Sequence, residues 1–361
     1  MKRYKFILSG GGTGGHIYPA ISIADNLKRQ YHSVDILFVG AIGRMEMTKV
    51  PENGYKIIGL WISGIKRKFD LRNLLVPFKV LYSLIKSYYI IKQFKPDFVI
   101  GTGGFVSGPV VYVATLLKIP TLIQEQNSFP GLTNRILSKK VNLISVAYKN
   151  MDKFFPKSKI LFTGNPVRLK IHNSSYNSNN NKKELKKKLT ILIIGGSLGS
   201  RVINEYISKN IHYFKKINVS LIWQCGNYYY EDYKNFNSKN VKVVPFINNI
   251  IEAYDSADII VTRAGASVIS ELCIIGKPVI FIPSPNLTED HQTKNADSMV
   301  RAGAALMVKE INLEKQFKKV LTLILKDDVL SKKMSDKIKS LAKPDASLNI
   351  IKNINMILNG D

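Results

Sequence analysis

The sequence predicts an α/β protein of two domains, each built on a doubly wound parallel sheet. Short β-rich runs recur along the chain, and each is followed by a glycine turn and a stretch with helical spacing of apolar residues. The length of 361 residues exceeds the usual size of one hydrophobic core. A polar stretch, HNSSYNSNNN at residues 172–181, interrupts the alternation of strands and helices, which then restarts.

The strands fall into two groups. Those of the first half are Lys5–Ser9, Val34–Val39, Phe98–Ile100, Thr121–Ile123, Leu143–Val146 and Ile160–Thr163. Those of the second half are Thr190–Ile194, Val219–Cys225, Val241–Val244, Ile259–Val261 and Val279–Ile282. With Gly164-Asn165-Pro166 as a hinge, we predict domains at residues 1–165 and 166–344, and a C-terminal helix at about 345–361 that packs back on the first. We expect the domains to face each other across a cleft at the carboxyl ends of both sheets.

Composition limits the class of protein. The net charge of +27 indicates either a polyanionic partner, such as nucleic acid or an anionic membrane, or a compositional bias toward lysine. No apolar run reaches the length of a transmembrane helix, and the apolar segment near the N-terminus is too short for a signal peptide, so we expect a cytoplasmic protein. Cys225 and Cys273 share no metal-binding or disulfide spacing, and we interpret both as buried small hydrophobic residues.

The first strand leads into GGGTGGH, residues Gly10 to His16. A phosphate-binding P-loop needs lysine after its last glycine, where this chain has His16. A dinucleotide site needs an acidic residue at the end of the second strand, which here ends in Val39-Gly40. What remains is a turn whose N–H groups face an anion, with His16 in the first turn of a helix. Because a helix N-terminus disfavours the imidazolium form, His16 is a candidate general base; the alternative is a histidine that caps or packs.

Further motifs have the residue types of a nucleotide-sugar site. GTGGFVSGP at residues 101–109 and GGSLGSR at 195–201 are glycine turns after strands, and Ser197 with nearby amides suits a diphosphate. Arg168 can clamp phosphate oxygens, unless it forms a hinge salt bridge. Glu271 can accept two ribose hydroxyls, unless it is a solvated acid near a helix start. EDHQTKNA, residues 289–296, has polar groups suited to sugar hydroxyls. Since no metal-binding motif occurs, helix N-termini and Arg168 would have to neutralise a leaving diphosphate.

Together these motifs resemble the MurG family of glycosyltransferases over nearly the whole chain. The matching segments are GGGTGGHIYPA, GRMEMTKVP, WISGIKRK, FKPDFVIGTGGFVSGP, QEQNSFPGLTNRIL, GNPVR, GGSLGSR, RAGASVISE, EDHQTKNA and KPDA. The resemblance implies the GT-B fold of two Rossmann-like domains. It also implies an inverting, metal-independent and cofactor-independent transfer of N-acetylglucosamine from UDP-N-acetylglucosamine to the C4 hydroxyl of a lipid-linked muramyl-pentapeptide.

The resemblance also implies a set of site residues. The donor would contact Thr13, Gly14, Gly15, Asn127, Arg168, Ser197, Ile247, Ala266, Ser267, Val268, Ile269, Ser270, Glu271 and Gln292. The acceptor pyrophosphate would contact Gly12, Thr13, Gly14, Gly103 and Gly104. His16 would be the base, with Glu125 as the alternative. Three positions depart from the family pattern: Ala264 replaces a serine, Gln124 replaces a histidine, and Thr293 replaces a glutamine.

The family's acceptor lies in a membrane, which suggests a role for an apolar stripe. Its residues are Leu74, Leu75, Phe78, Leu81 and Ile85, and the basic residues around it are Lys66, Arg67, Lys68, Arg72, Lys79 and Lys86. Such a stripe can rest on an anionic bilayer, so we expect a peripheral protein on the cytoplasmic face of the inner membrane; the alternative is a core-facing helix.

Two other functions stay open at this point. A GT-B relative could use another lipid acceptor or could be a UDP-sugar epimerase. A basic nucleic-acid-binding protein would account for the charge but not for three glycine turns and Glu271, so we expect no nucleic-acid partner.

Overall fold

The computed structural model describes residues 3–64, 71–167, 188–196, 198–285 and 290–360. The chain divides into two compact units, Met1–Arg168 with Lys343–Asp361, and Leu169–Ala342. Each unit contains one fully parallel sheet with helices around it. The predictions for Lys66, Arg67, Lys68, Arg168 and Ser197 lie outside the described residues, as does the polar stretch 172–181.

The sheet of the first unit has seven strands in the order β3-β2-β1-β4-β5-β6-β7. The strands are β1 (Tyr4–Gly10), β2 (Val34–Ala41), β3 (Lys56–Leu60), β4 (Phe98–Gly103), β5 (Thr121–Glu125), β6 (Leu143–Val146) and β7 (Ile160–Phe162). The central strands are continuous apolar runs because helices cover both faces of the sheet. Phe6, Ile7 and Leu8 of β1, for example, are all fully buried. The strand order reverses at the β1–β4 pair: β2 and β3 lie on one side of β1, and β4 to β7 follow on the other.

The helices of the first unit cover this sheet. They are α1 (Gly14–Gln30), α2 (Glu46–Glu52), α3 (Val76–Phe94), α4 (Ser107–Leu116), α5 (Leu132–Leu137) and, from the end of the chain, α14 (Ala346–Asn359). Ile350, Ile351 and Ile354 of α14 are fully buried in the same cluster as Ile17 and Ile21 of α1. The C-terminal helix therefore belongs to the core of the first unit.

The sheet of the second unit has six strands in the order β10-β9-β8-β11-β12-β13. The strands are β8 (Thr190–Ile194), β9 (Ser220–Gln224), β10 (Val241–Val244), β11 (Ile259–Thr262), β12 (Val279–Phe281) and β13 (Leu306–Met307). The helices are α6 (Arg201–Lys209), α7 (Ile211–Lys216), α8 (Tyr230–Tyr233), α9 (Ile250–Ser256), α10 (Ala266–Ile275), α11 (His291–Arg301), α12 (Leu313–Lys326) and α13 (Asp328–Ser340). In this sheet the strand order reverses at the β8–β11 pair.

The predicted fold class is confirmed, and every predicted strand is present with ends that shift by a few residues. Two strands were missed. β3 reads KIIGL, and its lysine and glycine disfavour a strand on sequence alone; β13 has only two residues. The interpretation of the cysteines is confirmed, since Cys225 and Cys273 are buried and free. Burial raises the pKa of the Cys273 thiol to about 12.

Candidate active site

Two glycine turns meet at the reversal point of the first sheet. The turn after β1 leads into α1, and the turn after β4 packs against it. A Cβ on Gly104 would lie 2.4 Å from the backbone oxygen of Gly11, and a Cβ on Gly103 would lie 2.8 Å from Nδ1 of His16. Gly103 and Gly104 also have positive φ, 97° and 78° respectively, which other residues rarely adopt. Gly103 is therefore required for close packing against His16 and Gly104 for close packing against the Gly11 backbone, reasons independent of any bound phosphate.

His16 is the third residue of α1 and is half-buried. Its Nδ1 lies 3.0 Å from the carbonyl oxygen of Thr102 and 3.0 Å from Oε1 of Gln126. A backbone carbonyl can only accept a hydrogen bond, so Nδ1 carries the hydrogen and donates it. In the neutral ring the lone pair then lies on Nε2. His16 thus has the tautomer that a general base needs.

A series of buried amides holds this arrangement. Gln126 Nε2 donates to the Thr102 carbonyl at 2.6 Å and to Oε1 of Gln124. Gln124 Nε2 in turn donates to Oδ1 of Asn165 at 2.8 Å. Gln124 stands where the resembled family has a histidine, and its amide cannot take a proton from a substrate. The network leaves His16 as the basic side chain of this cluster.

The geometry of Glu125 does not suit a base. Its side chain is 1% exposed, and its oxygens accept four hydrogen bonds at 2.9–3.1 Å. The donors are the backbone N–H groups of Asn127 and Gly131 and the side-chain amides of Asn127 and Asn134. A carboxylate engaged in this way stabilises the turn after β5 rather than accepting a proton. The alternative role of Glu125 is corrected accordingly, and Asn127 is directed at least partly toward Glu125.

The expectation for Gly12 also needs correction. Its N–H donates to Oε2 of Glu46 at 3.0 Å, so this amide already serves a carboxylate. Thr13 is the exposed N-cap of α1, with extended backbone and no side-chain cap bond. Gly14 and Gly15 are the first two residues of the helix, whose N–H groups have no partner within the helix. The donors that this turn can offer an anion are therefore those of Thr13, Gly14 and Gly15.

The second unit has glycine turns at the equivalent edge of its own sheet. A Cβ on Gly199, after β8, would lie 1.9 Å from the carbonyl oxygen of Cys225, and a Cβ on Gly226 would lie 2.4 Å from that of Leu198. The two turns pack backbone against backbone for this reason. Ser200 then caps α6, and its hydroxyl accepts from the N–H of Ile203 at 3.4 Å. Ser197 belongs to this turn in the sequence but lies outside the described residues.

Among the described residues of the second unit, the start of α10 has groups that could bind an anion. Its N-cap is Gly265, which has no side chain to bond the first amides of the helix. Ser267 Oγ is buried and has no hydrogen-bond partner among the described residues. Ser270 Oγ donates back to the Ala266 carbonyl at 3.1 Å, while Ile269 is packed in the core. Of the predicted donor residues from Ala266 to Ser270, Ser267 therefore carries the hydroxyl that lacks a described partner.

Three other residues predicted to contact the donor substrate already form hydrogen bonds within the protein. Glu271 is 7% exposed, and its Oε2 accepts from the Tyr254 hydroxyl at 3.2 Å. Gln292 Oε1 accepts from the N–H of Ser284 at 2.8 Å. The Ile247 N–H donates to Oε1 of Gln224 at 3.1 Å. These bonds hold the side chains of Glu271 and Gln292 and the backbone of Ile247 at the edge of the sheet.

Sequence reasoning missed two residues that organise this edge. Arg263 Nη2 donates to Ser200 Oγ at 2.5 Å, Nη1 donates to the Ile282 carbonyl at 2.9 Å, and the guanidinium forms a partly buried ion pair with Glu310. Gln224 Nε2 donates to the Gly196 carbonyl at 2.9 Å. Each joins turns that follow different strands, a relation that sequence spacing does not reveal.

The predicted apolar stripe is exposed. Leu74, Leu75, Phe78, Leu81 and Ile85 have 45–69% of their surface accessible, on α3 and the 3-10 turn before it. The opposite side of α3 is buried, with Ser83, Ser87, Ile90 and Ile91 facing the unit. The core-facing alternative is therefore wrong for the stripe itself.

By length and composition, one helical stretch of the described chain, Asn73–Phe94, could cross a membrane, with a mean hydropathy of 1.4. This finding differs from the sequence analysis, which predicts no apolar run of that length because Lys79, Lys86 and Lys92 interrupt the segment. Lys79 donates to Ser63 and Lys86 to the Gly59 carbonyl, at 3.0 and 2.9 Å. One side of the helix is thus fixed to its own domain.

Two parallel sheets with glycine turns at their reversal points form the GT-B fold, and matches to two glycosyltransferase family models identify the class of protein as a GT-B glycosyltransferase. The sequence profile of the glycosyltransferase family 28 N-terminal domain matches residues 6–146, and that of the C-terminal domain matches residues 190–350. The chain is 54% identical to a UDP-N-acetylglucosamine–N-acetylmuramyl-(pentapeptide) pyrophosphoryl-undecaprenol N-acetylglucosamine transferase from Flavobacterium psychrophilum, over 98% of each chain. It belongs to the MurG family of these transferases, within glycosyltransferase family 28.

Solved structures agree with the fold. The crystal structure of Acinetobacter baumannii MurG superposes with a TM-score of 0.79 at 28% identity and covers 98% of this chain and 99% of its own. A UDP-GlcNAc 2-epimerase from Neisseria meningitidis superposes with a TM-score of 0.66 at 16% identity, covering 98% and 99%. At that identity the epimerase shows the fold alone, so the epimerase alternative is not favoured.

Proposed function

We propose that this chain transfers N-acetylglucosamine from UDP-N-acetylglucosamine to the C4 hydroxyl of undecaprenyl-pyrophosphoryl-N-acetylmuramyl-pentapeptide, a step of peptidoglycan synthesis. The proposal takes its substrates from the name of the relative that is 54% identical over nearly the whole chain. The observation in the structure that carries it is His16, whose Nδ1 is held by the Thr102 carbonyl and whose Nε2 is left to accept a proton.

The reaction needs one proton acceptor and one leaving-group site. The acceptor C4 oxygen attacks C1 of the donor sugar and loses its proton to Nε2 of His16. The bond from C1 to the diphosphate oxygen breaks, UDP leaves with the electron pair, and the new bond has the inverted, β configuration. No metal or cofactor enters the proposal, so charge on the leaving UDP is stabilised by N–H groups and side chains.

The donor nucleotide is assigned to the second unit, while Thr13, Gly14, Gly15 and Asn127 of the first unit keep the donor contacts that the resemblance implies. The start of α10 offers a helix N-terminus with the buried hydroxyl of Ser267, a combination that suits a diphosphate. Glu271 and Gln292 are assigned to the hydroxyls of the ribose and the sugar, and the backbone at Ile247 to the base. Arg168 and Ser197 keep the phosphate roles that the resemblance implies.

The acceptor is assigned to the first unit. Its pyrophosphate would meet the N–H groups of Thr13, Gly14 and Gly15, and its lipid would lie in the membrane. The exposed stripe on α3 supports a peripheral position on the cytoplasmic face of the inner membrane. The basic residues predicted around the stripe would then contact anionic lipid, and the proposal includes no nucleic-acid partner.

The direct test is release of UDP from UDP-N-acetylglucosamine in the presence of a lipid-linked muramyl-pentapeptide analogue. We expect His16→Ala to lower kcat by about 10²–10⁴-fold, the usual contribution of a general base. His32→Ala is the matched control, since His32 is exposed, and should retain wild-type turnover. Near-normal turnover of His16→Ala would remove His16 from the base role.

The same assay separates the alternatives. UDP release with a different lipid acceptor, but not with the muramyl-pentapeptide, would indicate another glycosyltransferase. Conversion of the UDP-sugar without release of UDP would indicate an epimerase. Either result would overturn the proposed substrate or reaction.

A further inference from the structure

A carboxylate lies directly beneath the first glycine turn. Glu46 is the first residue of α2 and is fully buried. Its Oε1 accepts from the N–H of Ala41 at 3.0 Å, and its Oε2 accepts from the N–H of Gly12 at 3.0 Å. Among the residues that the structure describes, no cation forms an ion pair with it. Burial of a carboxylate without a counter-charge is costly, so the two N–H donors are the groups that compensate for it.

At two glycines, a larger residue would collide with this side chain. A Cβ on Gly11 would lie 2.1 Å from Glu46 Oε1, and the three nearest atoms to it all belong to Glu46. A Cβ on Gly40, at the end of β2, would lie 2.6 Å from Glu46 Cγ. Neither glycine has a positive φ, so backbone conformation does not require glycine at either position. At Gly11 the contact with Glu46 requires it, and at Gly40 the contacts with Glu46 and with Ile57 Cδ1, 2.8 Å away, require it.

This contact decides which N–H groups of the turn face outward. Because Oε2 accepts from Gly12, that amide is directed inward, and the donors that follow are those of Thr13, Gly14 and Gly15. The Thr13 carbonyl accepts from the N–H of His16 at 3.1 Å, so the same turn leads without a break into the base. Glu46 thus links the end of β2 to the start of α1.

We propose that Glu46 is a positioning residue for the acceptor: it fixes the glycine turn so that the amides of Thr13, Gly14 and Gly15 face the acceptor's pyrophosphate. This inference rests on the proposed function. Glu46 acts through the turn and touches no substrate. Its loss should therefore change recognition of the acceptor far more than recognition of UDP-N-acetylglucosamine, whose nucleotide is assigned to the other unit.

The first test compares Michaelis constants. Glu46→Gln keeps the size of the side chain but places an NH₂ group against one of the two N–H donors. We expect its KM for the lipid-linked acceptor to rise about tenfold or more, since small displacements of a binding group have effects of this size. KM for UDP-N-acetylglucosamine, most of whose proposed contacts lie in the second unit, should rise much less. Glu52→Gln is the control, because Glu52 ends the same helix on the surface, paired with Lys49.

The second test is a double-variant cycle. Gly11→Ala should displace Glu46 and reproduce the effect of Glu46→Ala on the acceptor KM. In Gly11→Ala/Glu46→Ala the new methyl group meets no carboxylate, so the two effects should not add. Additive effects, or equal changes in both KM values, would make Glu46 a merely structural residue and overturn the inference. An inactive wild-type protein would instead contradict the proposed function, so the two failures are distinguishable.

Discussion

At the residue scale, the imidazole of His16 is held by neutral acceptors. Its Nδ1 faces the Thr102 carbonyl and the Gln126 amide, and Thr102 Oγ1 donates to the His16 carbonyl at 2.8 Å. The Nδ1 edge of the ring is thus held both by the end of β4 and by the segment after β5. Its tautomer depends on these neighbours and not on a charged partner.

Gly103 provides a test of this packing. Gly103→Ala would place a methyl group 2.8 Å from His16 Nδ1, so we expect the ring to move and kcat to fall about a hundredfold. Gly54→Ala is the matched control, since Gly54 also has a positive φ, 78°, but no atom lies within 4 Å of its added Cβ. Both variants should lose about 1 kcal/mol of unfolding free energy in a denaturant titration. Equal kcat values for the two variants would contradict the role of Gly103.

At the element scale, α3 has two different sides. Ser83, Ser87, Ile90 and Ile91 face the domain, where α4 is the neighbouring helix and Ser83 donates to the Trp61 carbonyl. The other side exposes the stripe together with Tyr82, Tyr88 and Tyr89. Tyrosine suits the boundary between lipid and water because its ring is apolar and its hydroxyl polar.

The membrane role of α3 can be measured with vesicles. Phe78→Asp and Leu81→Asp should each weaken co-sedimentation with anionic vesicles by about tenfold or more, because a buried apolar side chain of this size contributes about 1.5–3 kcal/mol. Both positions are exposed, at 67% and 57%, so the fold should be retained. Leu323→Asp, at an exposed leucine of α12, is the control. Unchanged vesicle binding of both α3 variants would exclude the stripe as the contact.

At the scale of the whole molecule, the first unit is completed by the end of the chain. The chain leaves this unit after Arg168 and returns to it at Lys343. Ser22 of α1 donates to the Val167 carbonyl at 2.7 Å and lies 3.1 Å from Ser347 Oγ. The departing and returning segments are therefore both bonded to α1. The first unit cannot reach its full stability without the last helix.

Ile354→Ala tests this dependence. Ile354 is fully buried in the core beside α1, so its truncation should cost about 2–5 kcal/mol. Hydrogen exchange should accelerate in β1 of the first unit and stay unchanged in β8 of the second. Met356→Ala, at a side chain that is 46% exposed, should leave both strands unaffected. Equal acceleration in both sheets would show that the units unfold as one.

Sequence patterns predicted most strands of both sheets because strands buried on both faces are continuous apolar runs, which stand out from the helices between them. β3 and β13 were missed because their few residues have no such run. His16 and the helix start at Ala266 could be found because glycine turns after strands mark the carboxyl edge of a parallel sheet. Glu125 was given a possible role as base because a sequence does not show that four donors surround a carboxylate.

By itself, the sequence determined the fold class, the family, and the turns that carry the site, because these depend on local periodicity and on residue types at short spacing. Only the tertiary structure decided which polar groups of the site already form hydrogen bonds within the protein. Glu46 lies 34 residues from the Gly12 amide that it accepts from, and Arg263 lies 63 residues from Ser200. Such pairs form because the parallel sheet brings the ends of distant strands to one edge, and the hydrogen bonds made there settle which donors and acceptors remain for a substrate.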